Sequence, residues 1–395
     1  MRVLLVSPQP FFELRGTPIN VLNMCRALTS AGHEVHLATY PIGEDVFLDG
    51  LTVHRAARPP GIRSVKIGFS KAKIALDGTL AVTVARLALT RRFDVVHAVE
   101  ESVFFCVPLR RLAGLPLIYD LDSVISDQLR YSGVVSSERL LSGVRRIETA
   151  ALRSSDCVIT VCAALSDFVR AEAPGVRVFQ IEDPPMPGTD RAPREADVEA
   201  MRAELGLAGR QTVVYTGNLE PYQGAELLVD AAGSLVRRRA DAVVLVVGGD
   251  PARQEELRRR AARMGGGETV RFLPPQPPDR MPEIMALSAC LVSPRTAGQN
   301  TPMKIYTYMS SGRPIVATDL PTHTQVLDAS TAVLVRPTAD GLADGIEAIL
   351  SDPAWASALG EAARERVERD YSFERFRERL AEVYAFIASR RGRRS

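Results

Sequence analysis

The chain has 395 residues, 46% of them hydrophobic and 24% charged, and its 49 Lys and Arg against 47 Asp and Glu leave a net charge of +2. At roughly 150 residues per domain this length fits two packed domains. The composition excludes a disordered or collagen-like chain, and so weak a net charge argues against a dedicated nucleic-acid binder.

The first residues, Met1-Arg2-Val3-Leu4-Leu5-Val6, are apolar only as far as Ser7-Pro8, so they read as a buried strand and not as a signal-peptide core. Apolar runs then alternate with amphipathic helical patterns. Val3–Val6, Val35–Ala38, Asp94–Ala98, Pro116–Tyr119, Cys157–Val161 and Val176–Gln180 form one series of strand-like runs. Thr212–Thr216, Ala242–Val247, Thr269–Leu273, Cys290–Ser293, Pro314–Ala317 and Ala332–Val335 form a second. Continuous apolarity over four to six residues, with helices between, predicts parallel strands covered on both faces. None of these runs approaches the ~20 residues that cross a bilayer. Cys25, Cys106, Cys157, Cys162 and Cys290 are scattered and lack Cys-x-x-Cys spacing, which favours reduced thiols in a cytoplasmic protein.

Glu182-Asp183-Pro184-Pro185-Met186-Pro187-Gly188 separates the two series, and its prolines stop both strand and helix. The predicted fold is α/β: a Rossmann-like domain over 1–183, a linker over 184–190 and a second Rossmann-like domain over 191–371. The two doubly wound parallel sheets are expected to face a central cleft. Residues 372–395 read as a helix that packs back towards the first domain and ends in a basic tail.

After the first strand, a dinucleotide fingerprint needs several glycines, and only Gly16 is present, which disfavours a nicotinamide cofactor. Thr17 as N-cap and Pro18 at N1 start a helix there, whose amides could meet a phosphate past Gly16. In the second domain, Thr216-Gly217-Asn218 leads through Gln223-Gly224 into a helix, and Val247-Gly248-Gly249-Asp250 turns beside it. Both loops leave strand C-termini, where open α/β sheets take ligands. The sharpest signal runs from Ser293 to Thr318. There Thr301 caps a helix with Pro302 at N1, while Asn300, Lys304, Thr307 and Tyr308 share a face. A cation beside a helix N-terminus suits a diphosphate.

The string YTGNLEPYQGAELLVDAA, then VGG, then NTPMKIYTYMSSGRPIVATDLPTHTQVL, resembles the retaining GT-B glycosyltransferases, in particular the large nucleotide-sugar-dependent family containing mannosyl- and glucosyltransferases. RGTPINVLNMCRALTSAGHEVHLAT, DVVHA and LPLIYDLDS are similar to its first-domain segments. The resemblance implies a hexosyltransferase that moves a sugar from a nucleotide-diphosphate donor to an unidentified acceptor, glycan or lipid-linked. It implies retention and no metal or other cofactor. Donor contacts then fall to Gly16, Gly217, Asn218, Gln223, Gly249, Arg295, Gln299, Asn300, Thr301, Lys304 and Thr307. Lys304 offsets diphosphate charge, while His97 and Asp122 face the acceptor.

The chain also departs from the family's pattern. Two glutamates eight positions apart are usual, one on the donor sugar and one on the ribose, and Gln299 and Thr307 stand in their places. Asn218 and Gln223 replace basic residues, and Asp122 replaces a histidine. These changes leave room for a divergent transferase or for a binding protein that no longer transfers. Asp120-Leu121-Asp122 also imitates a DxD metal site, which would make the transfer metal-dependent. Taken on its own residues, without a visible partner, His97 reads first as a structural histidine and second as a cleft residue. Arg55, Arg58, Arg63, Lys66, Lys71 and Lys73, with no acid between Asp49 and Asp77, could meet an anionic acceptor or the inner face of a membrane.

Overall fold

The computed structural model describes residues 1–65, 70–131, 135, 137–189 and 191–391. The chain forms two compact units, Met1–Asp183 with Phe373–Ser395 and Pro184–Ser372.

Unit 1 contains strands β1 (Arg2–Ser7), β2 (Glu34–Thr39), β3 (Leu51–Arg55), β4 (Val95–Val99), β5 (Leu117–Leu121), β6 (Cys157–Thr160) and β7 (Arg177–Gln180). They form one parallel sheet in the order β3-β2-β1-β4-β5-β6-β7. The order reverses between β1 and β4, which makes the C-terminal ends of those strands the switch point of the sheet. The sequence pattern gives no signal for β3. Leu51-Thr52-Val53-His54-Arg55 alternates and is only half buried at the edge of the sheet, so it lacks the continuous apolar run of a central strand.

The Phe373–Arg391 helix closes one face of unit 1. Phe376, Leu380, Val383, Tyr384 and Ile387 join Val3, Leu5, Cys25, Leu28 and Ile159 in one buried cluster. Each such side chain contributes roughly 1.5–3 kcal/mol when fully buried. Arg379 pairs with Glu182 at the end of the first long stretch of unit 1.

Unit 2 contains β8 (Gln211–Thr216), β9 (Ala242–Val247), β10 (Val270–Leu273), β11 (Cys290–Ser293), β12 (Ile315–Thr318) and β13 (Val333–Val335). Its parallel sheet has the order β10-β9-β8-β11-β12-β13, with the reversal between β8 and β11. The valine runs of β8 and β9 are buried on both sides, between the Ala225–Arg238 helix face and the Met303–Ser310 helix face.

Two helix starts differ from the sequence expectation. The first helix runs Gly16–Ser30 with Arg15 as N-cap, so Thr17 lies inside it and its hydroxyl bonds the Asp122 carboxyl instead. The Met303–Ser310 helix has Pro302 at N-cap with extended backbone, ψ 134°. Thr301 is therefore one residue too early to cap, and its hydroxyl is buried with no partner.

Candidate functional site

In unit 2 the residues at the switch point come together. β8 ends at Gly217, which adopts φ 138°, and a side chain there would put its Cβ 2.8 Å from Lys304 Nζ. Gly248, after β9, lies so close to the Gly217 carbonyl that a side chain has no room. Gly249 likewise leaves no space, here against Leu219. The β8 and β11 loops are tied by Thr296 N–H donating to the Tyr222 carbonyl at 3.0 Å. Gly224, at φ 75°, permits that approach by packing its Cα against the Pro294 carbonyl.

Lys304 lies in the first turn of the Met303–Ser310 helix, and its Nζ sits 4.0 Å from the centre of the Tyr215 ring. That nitrogen is buried and makes no hydrogen bond. Desolvation, and then the nearby Arg295 charge, hold its pKa well below the ordinary lysine value. Arg295, 5% exposed, donates from Nη1 to the Asn300 carbonyl and the Thr322 hydroxyl, each at 2.8 Å, while its Nε has no partner. Neither cation forms an ion pair among the described residues. No side chain caps the helix start. Two buried positive groups without an acid, beside uncapped helix amides, form a receiver for a polyanion.

The other expected donor residues separate into two groups. Asn300 holds Arg295, and the Gln223 side chain is buried nearby with its carbonyl oxygen unpartnered. Gln299 is exposed, and its carbonyl accepts from Gln325 Nε2 at 2.7 Å. Asn218 uses its side-chain oxygen to cap the Glu220 N–H at 3.3 Å. Thr307 has its hydroxyl buried and accepting the Met186 N–H at 3.0 Å, so it anchors the linker backbone. Tyr308, expected on the same face, bonds the Thr216 N–H at 2.8 Å. Tyr215 was not singled out in the sequence, although its place at the end of an otherwise valine-rich strand was a readable signal.

In unit 1 the switch point lies at the ends of β1 and β4. A Cβ on Gly16, the first residue of its helix, would meet nothing within 4 Å. Glu100, directly after β4, takes φ 49°, a left-handed conformation that glutamate rarely adopts. Its carboxylate accepts from Gln9 Nε2 at 2.6 Å. Lys73 reaches Glu101 at 2.6 Å. The sequence reading missed this pair of glutamates, and the signal was there as Glu100-Glu101 ending an apolar strand.

Asp122 follows β5 and is 8% exposed, with one carboxylate oxygen unpartnered. Burial, then the charges of Asp120, Glu100 and Asp183, raise its pKa well above the carboxylate range. Burial and Asp120 also push Asp183 up to about 7. Asp120 points inward and lines a small cavity with Asn20 and Phe376, its carboxylate 3.7 Å from His97 Nε2. His97 is corrected to a core residue: it is fully buried, and Nδ1 meets the Tyr384 hydroxyl at 2.9 Å. Among the described residues no group of three or more His, Cys, Asp or Glu is arranged to hold a metal ion.

The basic segment does not form one outward patch. Arg55 donates to the Phe11, Ile42 and Glu44 carbonyls, and Arg58 donates to Pro41. Lys73 is committed to Glu101, so these three are corrected to internal contacts. Arg63 and Lys71 are exposed, and Lys66 lies outside the described residues.

Two doubly wound parallel sheets, each carrying polar residues at its switch point, define a two-unit Rossmann-type α/β protein. Residues 210–352 match the family described as glycosyl transferases group 1, and residues 15–182 match the glycosyl transferase 4-like domain. The chain belongs to these glycosyltransferases, with the GT-B fold. It is 35% identical over 177 residues to a D-inositol 3-phosphate glycosyltransferase of Nocardia farcinica, a stretch covering 42% of this chain and 39% of that protein. The match therefore spans about two fifths of that relative's length. Sucrose-phosphate synthase from Thermosynechococcus elongatus has the same fold, with a TM-score of 0.83 at 22% identity, covering 98% of this chain and 99% of the other. HepE of Anabaena, solved in complex with UDP-glucose, aligns with a TM-score of 0.73 at 17% identity, covering 98% and 99%.

Proposed function

We propose that the protein transfers a hexosyl group, with retention and without a metal cofactor, from a nucleotide-diphosphate sugar to a hydroxyl acceptor. One observation carries the reading: the unmatched buried cations Lys304 and Arg295 at the β8/β11 switch point. As the glycosidic bond breaks, negative charge collects on the departing diphosphate, and groups already in place stabilise it without reorganising. An arriving diphosphate favours the charged form of Lys304, because its negative charge opposes the desolvation that depresses the lysine pKa. The UDP-glucose complex of HepE supports a uridine diphosphate sugar as the first donor to try. Asp122, held by Thr17, is the candidate to orient the acceptor hydroxyl. Five buried cysteines with no disulfide support the cytoplasm as the compartment.

Thermal-shift titration with UDP, GDP and ADP, each with a chelator present, tests the donor half. Stabilisation by one of them that is lost in Lys304→Ala supports the reading. Stabilisation that appears only with a divalent ion transfers the role to Asp120 and Asp122. A second reading, donor binding without transfer, is favoured by Gln299 and Thr307, neither of them a carboxylate, at the two positions where the family carries glutamates. Product analysis with a sugar-acceptor panel separates the two.

A further inference from the structure

The unit 1 sheet ends at β3 in a bare edge. β2 and β3 run parallel, and parallel neighbours are usually joined by a covering helix. Residues 40–50 make this crossing without helix or strand. Val46, Leu48, Leu51 and Val53 pack one side against the core, and with Asp45 and Asp49 they line an open groove of about 740 Å³. Phe47 borders the groove and is 92% exposed, more than any other large apolar side chain among the described residues.

The free edge has a definite phase. Val35 N–H donates to the Gly50 carbonyl at 2.8 Å, and Ala56 N–H donates to the Thr39 carbonyl at 2.9 Å. With Leu37 opposite Val53, the backbone groups of Thr52 and His54 serve β2, and those of Leu51, Val53 and Arg55 point away from it. Leu51 N–H folds back to the Leu48 carbonyl at 3.1 Å. Among the described residues nothing meets the N–H or C=O of Val53 or Arg55. Sheet edges are commonly guarded by proline, lysine or a bulge. β3 contains neither proline nor lysine, and its Arg55 side chain is drawn inward to the Phe11 and Ile42 carbonyls.

We infer that β3 is the contact between two copies of this chain, paired antiparallel about a two-fold axis at Val53. Val53 then exchanges both backbone bonds with Val53 of the other copy, Arg55 N–H reaches the other Leu51 C=O, and the two sheets become one. Charge selects this direction. The chain enters β3 past exposed Asp45 and Asp49 and leaves it towards exposed Arg58 and Arg63. Antiparallel pairing lays the acidic entry of each copy beside the basic exit of the other, whereas parallel pairing sets like charge against like. An axis perpendicular to the sheet keeps both grooves on one face, side by side, where each Phe47 ring leaves water. The inference goes beyond the proposed reaction and does not depend on it.

The test is sedimentation velocity of the full chain over a micromolar concentration range, which should show a concentration-dependent dimer. Hydrogen exchange should show the Val53 amide protected as the dimer forms. Val53→Pro deletes an N–H that β2 does not use, and proline is tolerated in an edge strand whose N–H faces outward. The dimer dissociation constant should therefore rise at least about tenfold in that variant, with the monomer fold kept. Phe47→Ser should weaken the dimer about tenfold through the groove, and it carries the test should the proline variant unfold. Wild-type protein that stays monomeric throughout, or variants that dimerise as it does, overturn the proposal. So does a dimer in which the Val53 amide exchanges as fast as in the monomer. The thermal shift with UDP, measured alongside, should be equal in all three proteins, and it separates failure here from failure of the donor reading.

Discussion

Lys304 and Tyr215 form a cation–ring pair, with the ammonium 4.0 Å from the ring centre, and this pair accounts for how a lysine stays buried with no acid beside it. Removing the ammonium in Lys304→Ala is expected to lower turnover about 10²–10³-fold, the loss found when one preorganised transition-state donor is deleted. A steady-state transfer assay checks it, and near-normal turnover contradicts the role.

The same burial makes Lys304 a cost to the free protein. Its folded pKa lies below the unfolded value, so the unfolded chain holds the extra proton between the two. Stability contributed by this site therefore rises with pH across that interval and is lowest below it. Lys304→Met should raise the melting temperature at neutral pH by a few degrees, at roughly 2–4 °C per kcal/mol for a unit of this size. Calorimetry of both proteins reads the difference, which should shrink as the pH is raised.

Glycines 16 and 217 should respond oppositely to alanine. A Cβ at Gly16 meets nothing and the residue is helical, so Gly16→Ala keeps or slightly raises stability, by up to about 1 kcal/mol. At Gly217 the backbone is at φ 138° and the Cβ would crowd Lys304 Nζ. Gly217→Ala should cost about 1–3 kcal/mol and weaken nucleotide binding. Loss of activity in a fully stable Gly16→Ala protein would locate a ligand against that helix start.

Asp183 is buried with its pKa pushed up to about 7. The unfolded chain ionises near the ordinary ~3.9 while the folded one stays neutral, so stability falls as pH rises between those values. The contribution of this carboxyl to the stability of unit 1 should thus be larger at pH ~5 than at pH ~8. Asp183→Asn is expected to flatten that slope and to stabilise the protein on the alkaline side. An unchanged pH profile in the variant rejects the assignment.

Tyr384→Phe removes the hydroxyl that faces His97 Nδ1 at 2.9 Å in a fully buried setting. His97 then keeps a polar nitrogen with no partner, at a cost of about 1–3 kcal/mol. Urea unfolding should show the loss, with no change in nucleotide binding.

Most of the strands were legible because their runs are continuously apolar, as strands buried on both faces must be, while the edge runs Arg177–Gln180 and Val270–Leu273 are half buried and carry a charged residue each. The edge strand Leu51–Arg55 alternates instead and left no such trace. Lys304 and Gly217 were legible as types in a pattern, but not their proximity to each other. Thr301 and Thr307 read as a cap and a ligand contact. The extended Pro302 takes the cap from Thr301 and the Met186 N–H meets Thr307, and both are tertiary facts that spacing does not encode. The Glu100-Glu101 pair at the end of an apolar strand was a readable signal, but the φ of 49° that sets Glu100 apart is a backbone fact that the residue types do not carry.

Unit 2 is a contiguous stretch, Pro184–Ser372, whereas unit 1 is completed by Phe376, Leu380, Val383, Tyr384 and Ile387. On the ribosome, the earlier-synthesised half therefore lacks these five side chains from the cluster around Val3, Leu5 and Leu28 until translation has passed the whole of the other half. The later-made domain has its whole sequence before the earlier one does, and chaperone demand should fall on the earlier one.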